Sequence, residues 1–160
     1  MLRKTKSLRH RAAGGHFAII AAQYNARYVN SMLRGAQQTL QRAGATSVRT
    51  LRVPGAYEIP LLAAWLARHH SPPLAAIICL GVILRGETCH AQLIAEAVTQ
   101  ALTTLQLQNE IPVIHEVLLL ENKAQADLRC LSRDHNRGVE AAQTALQMAK
   151  VMAELETKSF

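Results

Sequence analysis

The chain has 160 residues, 49% of them hydrophobic, 18% charged and 4% aromatic. That length suits one domain with a sizeable core; no apolar run approaches the roughly 20 residues of a membrane span, and the composition excludes a disordered or collagen-like chain. The net charge of +7 is uneven: Arg3, Lys4, Lys6, Arg9 and Arg11 fall in a first stretch of 14 residues without an acid, which leaves +2 for the remainder.

Residues 1–14 therefore read as a basic, flexible tail ahead of a single domain over 15–157. A secretory signal needs a long apolar stretch after its positive residues. Residues 17–22 are too short for one and run straight into Gln23-Tyr24-Asn25, so a cytoplasmic protein is expected. The apolar run 17–22 is the first predicted strand. Helical spacing of Val29, Met32, Leu33, Ala36 and Leu40 predicts a helix over 26–43, with Gly44 as its C-terminal cap. Residues 47–53 alternate as a strand and end at Pro54-Gly55. A helix is expected over 56–70. The almost continuous apolar stretch 74–84 predicts a central strand covered on both faces. Arg85-Gly86 breaks it, and a long helix is expected to open with Glu87, Thr88 and Cys89 and to reach about residue 108. A fourth strand over 111–120, a short helix over 122–131 and a long helix over 136–155 complete the pattern.

Strand–helix alternation of this kind predicts an α/β fold, a three-layer α/β/α sandwich around a four-stranded parallel sheet of flavodoxin-like type. On such sheets ligands bind beyond the carboxyl ends of the strands. Three segments fall there: Gln23 to Asn25, Pro54 to Glu58, and Arg85 to His90. In the third, free N–H groups at a helix start would form an anion site, with the Thr88 hydroxyl as a further donor. The positive end of the helix dipole disfavours an imidazolium at His90, which suits a base beside a phosphate. A Thr cap next to a surface histidine is the competing reading. Glu58 is a candidate acceptor for a polyol or simply a first-turn acid; Tyr24 is a candidate stacking platform or a packing residue; Arg129 is a phosphate partner or a solvated charge. The histidines show no metal-ligand spacing, and Cys79, Cys89 and Cys130 form no CxxC pair. No metal is expected.

Together these segments resemble the lumazine synthase family over roughly residues 17–152. Val53-Pro54-Gly55-Ala56-Tyr57-Glu58-Ile59-Pro60 is similar to the family's Pro-Gly-Ala-aromatic-Glu turn. Arg85-Gly86-Glu87-Thr88-Cys89-His90 is similar to its Arg-Gly-x-Thr-x-His segment. Tyr24-Asn25, Leu33 to Ala36, Ile111 to Val113, Gln125-Ala126, Arg129 and Gly138 to Ala142 follow in the family's order and spacing.

The resemblance implies condensation of 5-amino-6-(D-ribitylamino)uracil with 3,4-dihydroxy-2-butanone 4-phosphate to give 6,7-dimethyl-8-ribityllumazine, a step of riboflavin biosynthesis, without metal or organic cofactor. It implies His90 as the proton-transfer residue. Glu87 and Thr88 become the phosphate-binding segment, with Arg129 supplied by a neighbouring subunit. Tyr24 stacks on the uracil; Ala56, Tyr57 and Glu58 hold the ribityl chain and ring; Val82, Ile83 and Leu84 present main-chain groups to the pyrimidine. The implied partners are the two small-molecule substrates, further copies of the chain in a pentamer-based homo-oligomer with shared sites, and a functional link to riboflavin synthase. No membrane and no specific nucleic-acid binding are expected. The chain also departs from the family. Ala91, Gln92 and Leu93 stand where it has an aromatic, an acid and an aromatic. His115 and Glu116 replace an aromatic-Gly pair, and Leu119 and Leu120 replace two Thr. His115 takes the position that packs on the substrate from the adjacent subunit, where it is expected to charge in the working pH range, and Glu116 is expected close to that interface. A poorly active paralogue that binds lumazine or flavin, or forms a shell, is the competing function.

Overall fold

The computed structural model describes residues 14–157; the expected basic tail lies, but for Gly14, outside the described residues. Four strands, β1 (His16–Ala22), β2 (Ser47–Val53), β3 (Ala76–Leu84) and β4 (Val113–Leu120), alternate with helices. The helices are α1 (Ala26–Arg42), α2 (Ile59–His69), α3 (His90–Asn109), the single turn α4 (Lys123–Ala126) and α5 (Arg137–Thr157). A 3-10 turn, Ala56–Glu58, leads into α2, and a π-helical turn, Asp127–Leu131, follows α4.

All strand pairings are parallel, in the order β2-β1-β3-β4. β1 and β3 are therefore central, and their side chains are buried on both faces almost throughout, which is why they read as continuous apolar runs. On one face Phe17, Ile19, Ile78, Leu80 and Ile114 pack against Val29, Met32 and Leu40 of α1 and against the alanines of α5. On the other Ile20, Ile77, Cys79 and Val117 pack against Ile59 and Leu66 of α2 and against Val98 and Leu102 of α3. This is the expected three-layer α/β/α, flavodoxin-like architecture. Among the described residues no helix is long and apolar enough to cross a membrane.

Local chemistry accounts for the element ends. Gly44 has φ 85°. The Ala45 N–H reaches Leu40 O and the Gly44 N–H reaches Gln41 O, both at 3.1 Å, so this glycine closes α1 as a left-handed cap. β4 begins at Val113, two residues later than the apolar run, because Pro112 has no N–H to give the ladder; its carbonyl still accepts from the Ile77 N–H at 2.9 Å. The expected helix over 56–70 is split: the 3-10 turn comes first, and the α-helix starts at Ile59 with Pro60 in its first turn.

α1 and α5 approach unusually closely. An added Cβ on Gly138 would lie 1.9 Å from the Met32 carbonyl oxygen, and one on Gly35 would lie 3.0 Å from the Asn136 amide oxygen. Asn136 caps α5, accepting from the Gly138 N–H at 2.9 Å, while its amide group donates to Cys130 O at 2.6 Å.

Candidate active site

The carboxyl ends of the strands lie at one end of the sheet. The chain beyond β1 is tied to that beyond β2: the Gln23 N–H donates to Val53 O at 2.8 Å and the Tyr24 N–H to Pro54 O at 3.1 Å. Between these turns, the end of β3 and the start of α3 opens a cleft of about 930 Å³. Tyr24 and Asn25 form one wall, and residues 55–58 form the second. Val82, Ile83 and Leu84 are the floor; Gly86, Thr88 and His90 form the third wall. Ala91, Leu93, Ile94 and Ala97 extend it as an apolar strip along α3.

Nine of the twelve site residues named from the sequence line this cleft: Tyr24, Ala56, Tyr57, Glu58, Val82, Ile83, Leu84, Thr88 and His90. Tyr24 is 74% exposed and Tyr57 63%, so both rings are free to meet a planar ligand. Glu58 has a narrower freedom than its sequence position suggests, because one carboxylate oxygen accepts the Gly55 N–H at 2.9 Å. A Cβ on Gly55 would stand 2.9 Å from that same oxygen, so glycine is what allows the carboxylate to fold back. The other oxygen remains for a ligand.

Asn25 was quoted from the sequence only beside Tyr24, with no role of its own. It adopts φ 53°, in the left-handed region that Asn tolerates better than most residues. Its side-chain amide donates to the Val82 carbonyl at 2.7 Å. The turn that presents Tyr24 is thereby fastened to the cleft floor. An Asn directly after an apolar strand and before a helix was the available signal.

The third wall corrects one expectation. α3 begins at His90, not at Glu87. Residues 87–89 form two bends and a turn instead, in which the Thr88 hydroxyl oxygen faces the His90 N–H at 3.4 Å. A Ser or Thr side chain that competes for a nearby backbone N–H favours such a turn over a helix. His90 is thus the first helical residue, at the positive end of the α3 dipole, and Thr88 stands just before it. Glu87 is exposed and does not line the cleft.

His115 and Arg129 also lie elsewhere in this chain. Arg129 sits on the π-helical turn beyond β4. His115 faces α3 at Thr99, nine residues beyond His90 and so about 13 Å further along the helix axis. The Val117 N–H points at His115 Nδ1 at 3.3 Å, which leaves the proton on Nε2, 2.9 Å from the Thr99 hydroxyl; that hydroxyl donates on to Ala95 O at 2.8 Å. Every proton in this chain is placed for a neutral ring. Burial also lowers the His115 pKa from its ordinary 6.5, which runs against the expectation that it charges in the working range.

Glu116 points to the opposite face of β4 and is 6% exposed. Arg137, at the start of α5, grips both its carboxylate oxygens at 2.9 Å and also pairs with Glu140. Burial pushes the Glu116 carboxyl up to about 7 against the pull of Arg137. The fold puts this carboxylate in a buried ion pair whose partner, 21 residues on, no local pattern announced. Cys79 and Cys130 are buried thiols, the latter pushed up to about 12 by burial and by Glu116, and neither is poised as a nucleophile.

Comparison with known proteins adds an independent finding. A family model described as 6,7-dimethyl-8-ribityllumazine synthase matches residues 14–153. The 6,7-dimethyl-8-ribityllumazine synthase of Stenotrophomonas maltophilia (strain R551-3) is 38% identical over 141 residues, covering 87% of this chain and 90% of the relative. That of Xylella fastidiosa (strain 9a5c) is 36% identical over 147 residues, covering 91% and 94%.

Proposed function

The chain belongs to the 6,7-dimethyl-8-ribityllumazine synthase family, and from that membership we propose that it condenses 5-amino-6-(D-ribitylamino)uracil with 3,4-dihydroxy-2-butanone 4-phosphate. The product is 6,7-dimethyl-8-ribityllumazine, with phosphate and water released. The observation that carries this reading is the cleft itself, which unites an exposed aromatic ring, a half-used carboxylate, a hydroxyl and an imidazole at the carboxyl end of the sheet.

Each role is the one that the family resemblance implies, and the chemistry of the cleft suits it. Tyr24 stacks on the uracil, and main-chain groups of Val82, Ile83 and Leu84 meet its polar edge. Glu58, with Ala56 and Tyr57, takes the ribityl hydroxyls. The backbone of Glu87 and Thr88 and the Thr88 hydroxyl receive the phosphate, whose charge the α3 N-terminus favours. When the 5-amino group attacks the ketone, water is lost and a proton must leave nitrogen. His90 takes that proton and returns it as phosphate is eliminated; the 3-hydroxyl carbon becomes a carbonyl, and closure of the ring on it by the ribitylamino nitrogen expels a second water.

Arg129 and His115 lie away from this cleft, and apolar side chains stand uncovered on α2 and α3: Leu61 at 78%, Trp65 at 51% and Leu93 at 57% exposure. Such a surface suits association. Both features support a pentamer-based ring in which each site borrows Arg129 from the next subunit.

Mixing the two substrates and following lumazine absorbance tests the reaction. His90→Ala should lower kcat by about 10²-fold above the uncatalysed background, with little change in KM. Arg129→Ala should raise KM for the butanone phosphate far more than for the uracil, since a guanidinium grips phosphate through two parallel hydrogen bonds. Rings reassembled from equal amounts of the two variants should regain about a quarter of their sites. Mixed rings no more active than their parents would refute the shared site.

A further inference from the structure

Residues 86–89 carry the third wall of the cleft but hold themselves in place poorly. All four are exposed. A Cβ on Gly86 would meet nothing within 4 Å, and the 3.4 Å contact between Thr88 and His90 lies within the turn itself. What spans the loop is the side chain of Arg85, which precedes it.

Arg85 joins three elements. Its backbone N–H donates to Leu120 O at 2.8 Å, at the end of β4. Its Nε donates to Glu121 at 3.0 Å, and its Nη2 donates to the side-chain oxygen of Gln92, in the first turn of α3, also at 3.0 Å. The Gln92 amide nitrogen then donates to Glu96 at 2.6 Å. A glutamine held between a cation and an anion has one favourable orientation, oxygen toward Arg85 and nitrogen toward Glu96. Gln92 stands where an acid is usual in the family, and an amide cannot neutralise Arg85. Glu121 supplies that charge directly, and Glu96 supplies it through the amide. Neither Arg85 nor Gln92 lines the cleft.

We propose that Gln92 is a positioning residue: by turning Arg85 from the end of β3 onto the first turn of α3, it sets the height of residues 86–89 above the cleft floor, and with it the affinity for the phosphate end of the substrate. This rests on the function proposed above. The Arg85 and Glu121 side chains are 41% and 54% exposed, so the clamp is a moderate one.

The test uses Gln92→Leu, which cannot accept from Arg85, and Gln92→Glu, which can. For Gln92→Leu, KM for the butanone phosphate should rise about fivefold, the scale of one ordinary hydrogen bond between partly exposed groups. Its kcat and its KM for the uracil should stay within about twofold. Gln92→Glu should keep the wild-type KM despite a small repulsion from Glu96, one turn on. An unchanged KM in Gln92→Leu, equal impairment of both variants, or all constants moving together would overturn the positioning role. If the wild-type chain does not turn over the two substrates, the proposed function fails, and calorimetry with inorganic phosphate decides this inference separately. Weaker binding in Gln92→Leu but not in Gln92→Glu supports it; equal binding in all three chains, or none in wild type, overturns it.

Discussion

The two faces of the sheet are finished differently. On the α1/α5 face helices meet at backbone distance through Gly35 and Gly138, Asn136 satisfies four groups at their junction, and the Glu116 carboxylate is sealed in with Arg137. On the α2/α3 face the strands are equally well covered, but the outer surface of the helices is apolar and open, with Leu61, Trp65, Leu93 and Leu107 more than half exposed. One face completes the fold of a single chain. The other carries the cleft and leaves apolar surface for a neighbour. Residues 115 and 116 of β4 show the contrast side by side: a neutral imidazole turned toward α3, and a carboxylate turned toward α5.

The closed face should break first. Gly138→Ala drives a methyl group against the Met32 backbone, which cannot rotate away, and should cost about 3 kcal/mol or more. Gly86→Ala enters open space and should change stability by less than about 0.5 kcal/mol. Urea unfolding of the two variants reads the difference, and equal costs would mean that α1 and α5 can simply separate.

Glu116 offers a pH test of the same face. Its folded pKa, about 7, lies above the ordinary 4.5, so the native state holds a proton that the unfolded chain releases. Stability from this group is full below about pH 4.5 and is lost as pH rises to about 7, by up to ~3 kcal/mol. Glu116→Gln should remove that slope. An unchanged slope would assign the pH dependence to other groups.

On the open face, Leu61→Asp should leave the secondary structure and unfolding of the chain within about 1 kcal/mol of wild type while abolishing the proposed ring in light scattering. A ring that survives would move the subunit contact away from α2. The smallest effect belongs to His115. Its folded pKa is lowered, so its contribution is full above pH 6.5 and declines as pH falls below that value toward the folded one. His115→Phe should therefore reduce acid sensitivity of unfolding by about 1 kcal/mol or less, and leave the acid limb of the pH–rate profile unmoved. A flattened acid limb would mean that the imidazole charges during turnover.

Much of this molecule is legible along the chain because the relevant forces are local. A two-residue or 3.6-residue period reports which side of an element is covered, so four strands, their intervening helices and the Gly44 cap follow from the residues themselves. The turns after β1, β2 and β3 are marked by Tyr24-Asn25, Pro54-Gly55 and Arg85-Gly86, and parallel topology requires those turns to share one end of the sheet. Tyr24, Ala56, Tyr57, Glu58, Thr88 and His90 were accessible on that reasoning; Val82, Ile83 and Leu84 came only from the family resemblance.

Tertiary structure decided the rest, because it depends on which distant segments become neighbours. The order β2-β1-β3-β4 brings Glu121 to Arg85 across 36 residues, and places Thr99 of α3 over His115 and Arg137 of α5 over Glu116. The charge state of His115 and the burial of Glu116 are consequences of those neighbours, since desolvation and hydrogen-bond direction are properties of a surrounding, not of a residue type. The start of α3 shifted for a nearer reason. The Thr88 hydroxyl competes for the His90 N–H, and His90 became the first residue of the helix.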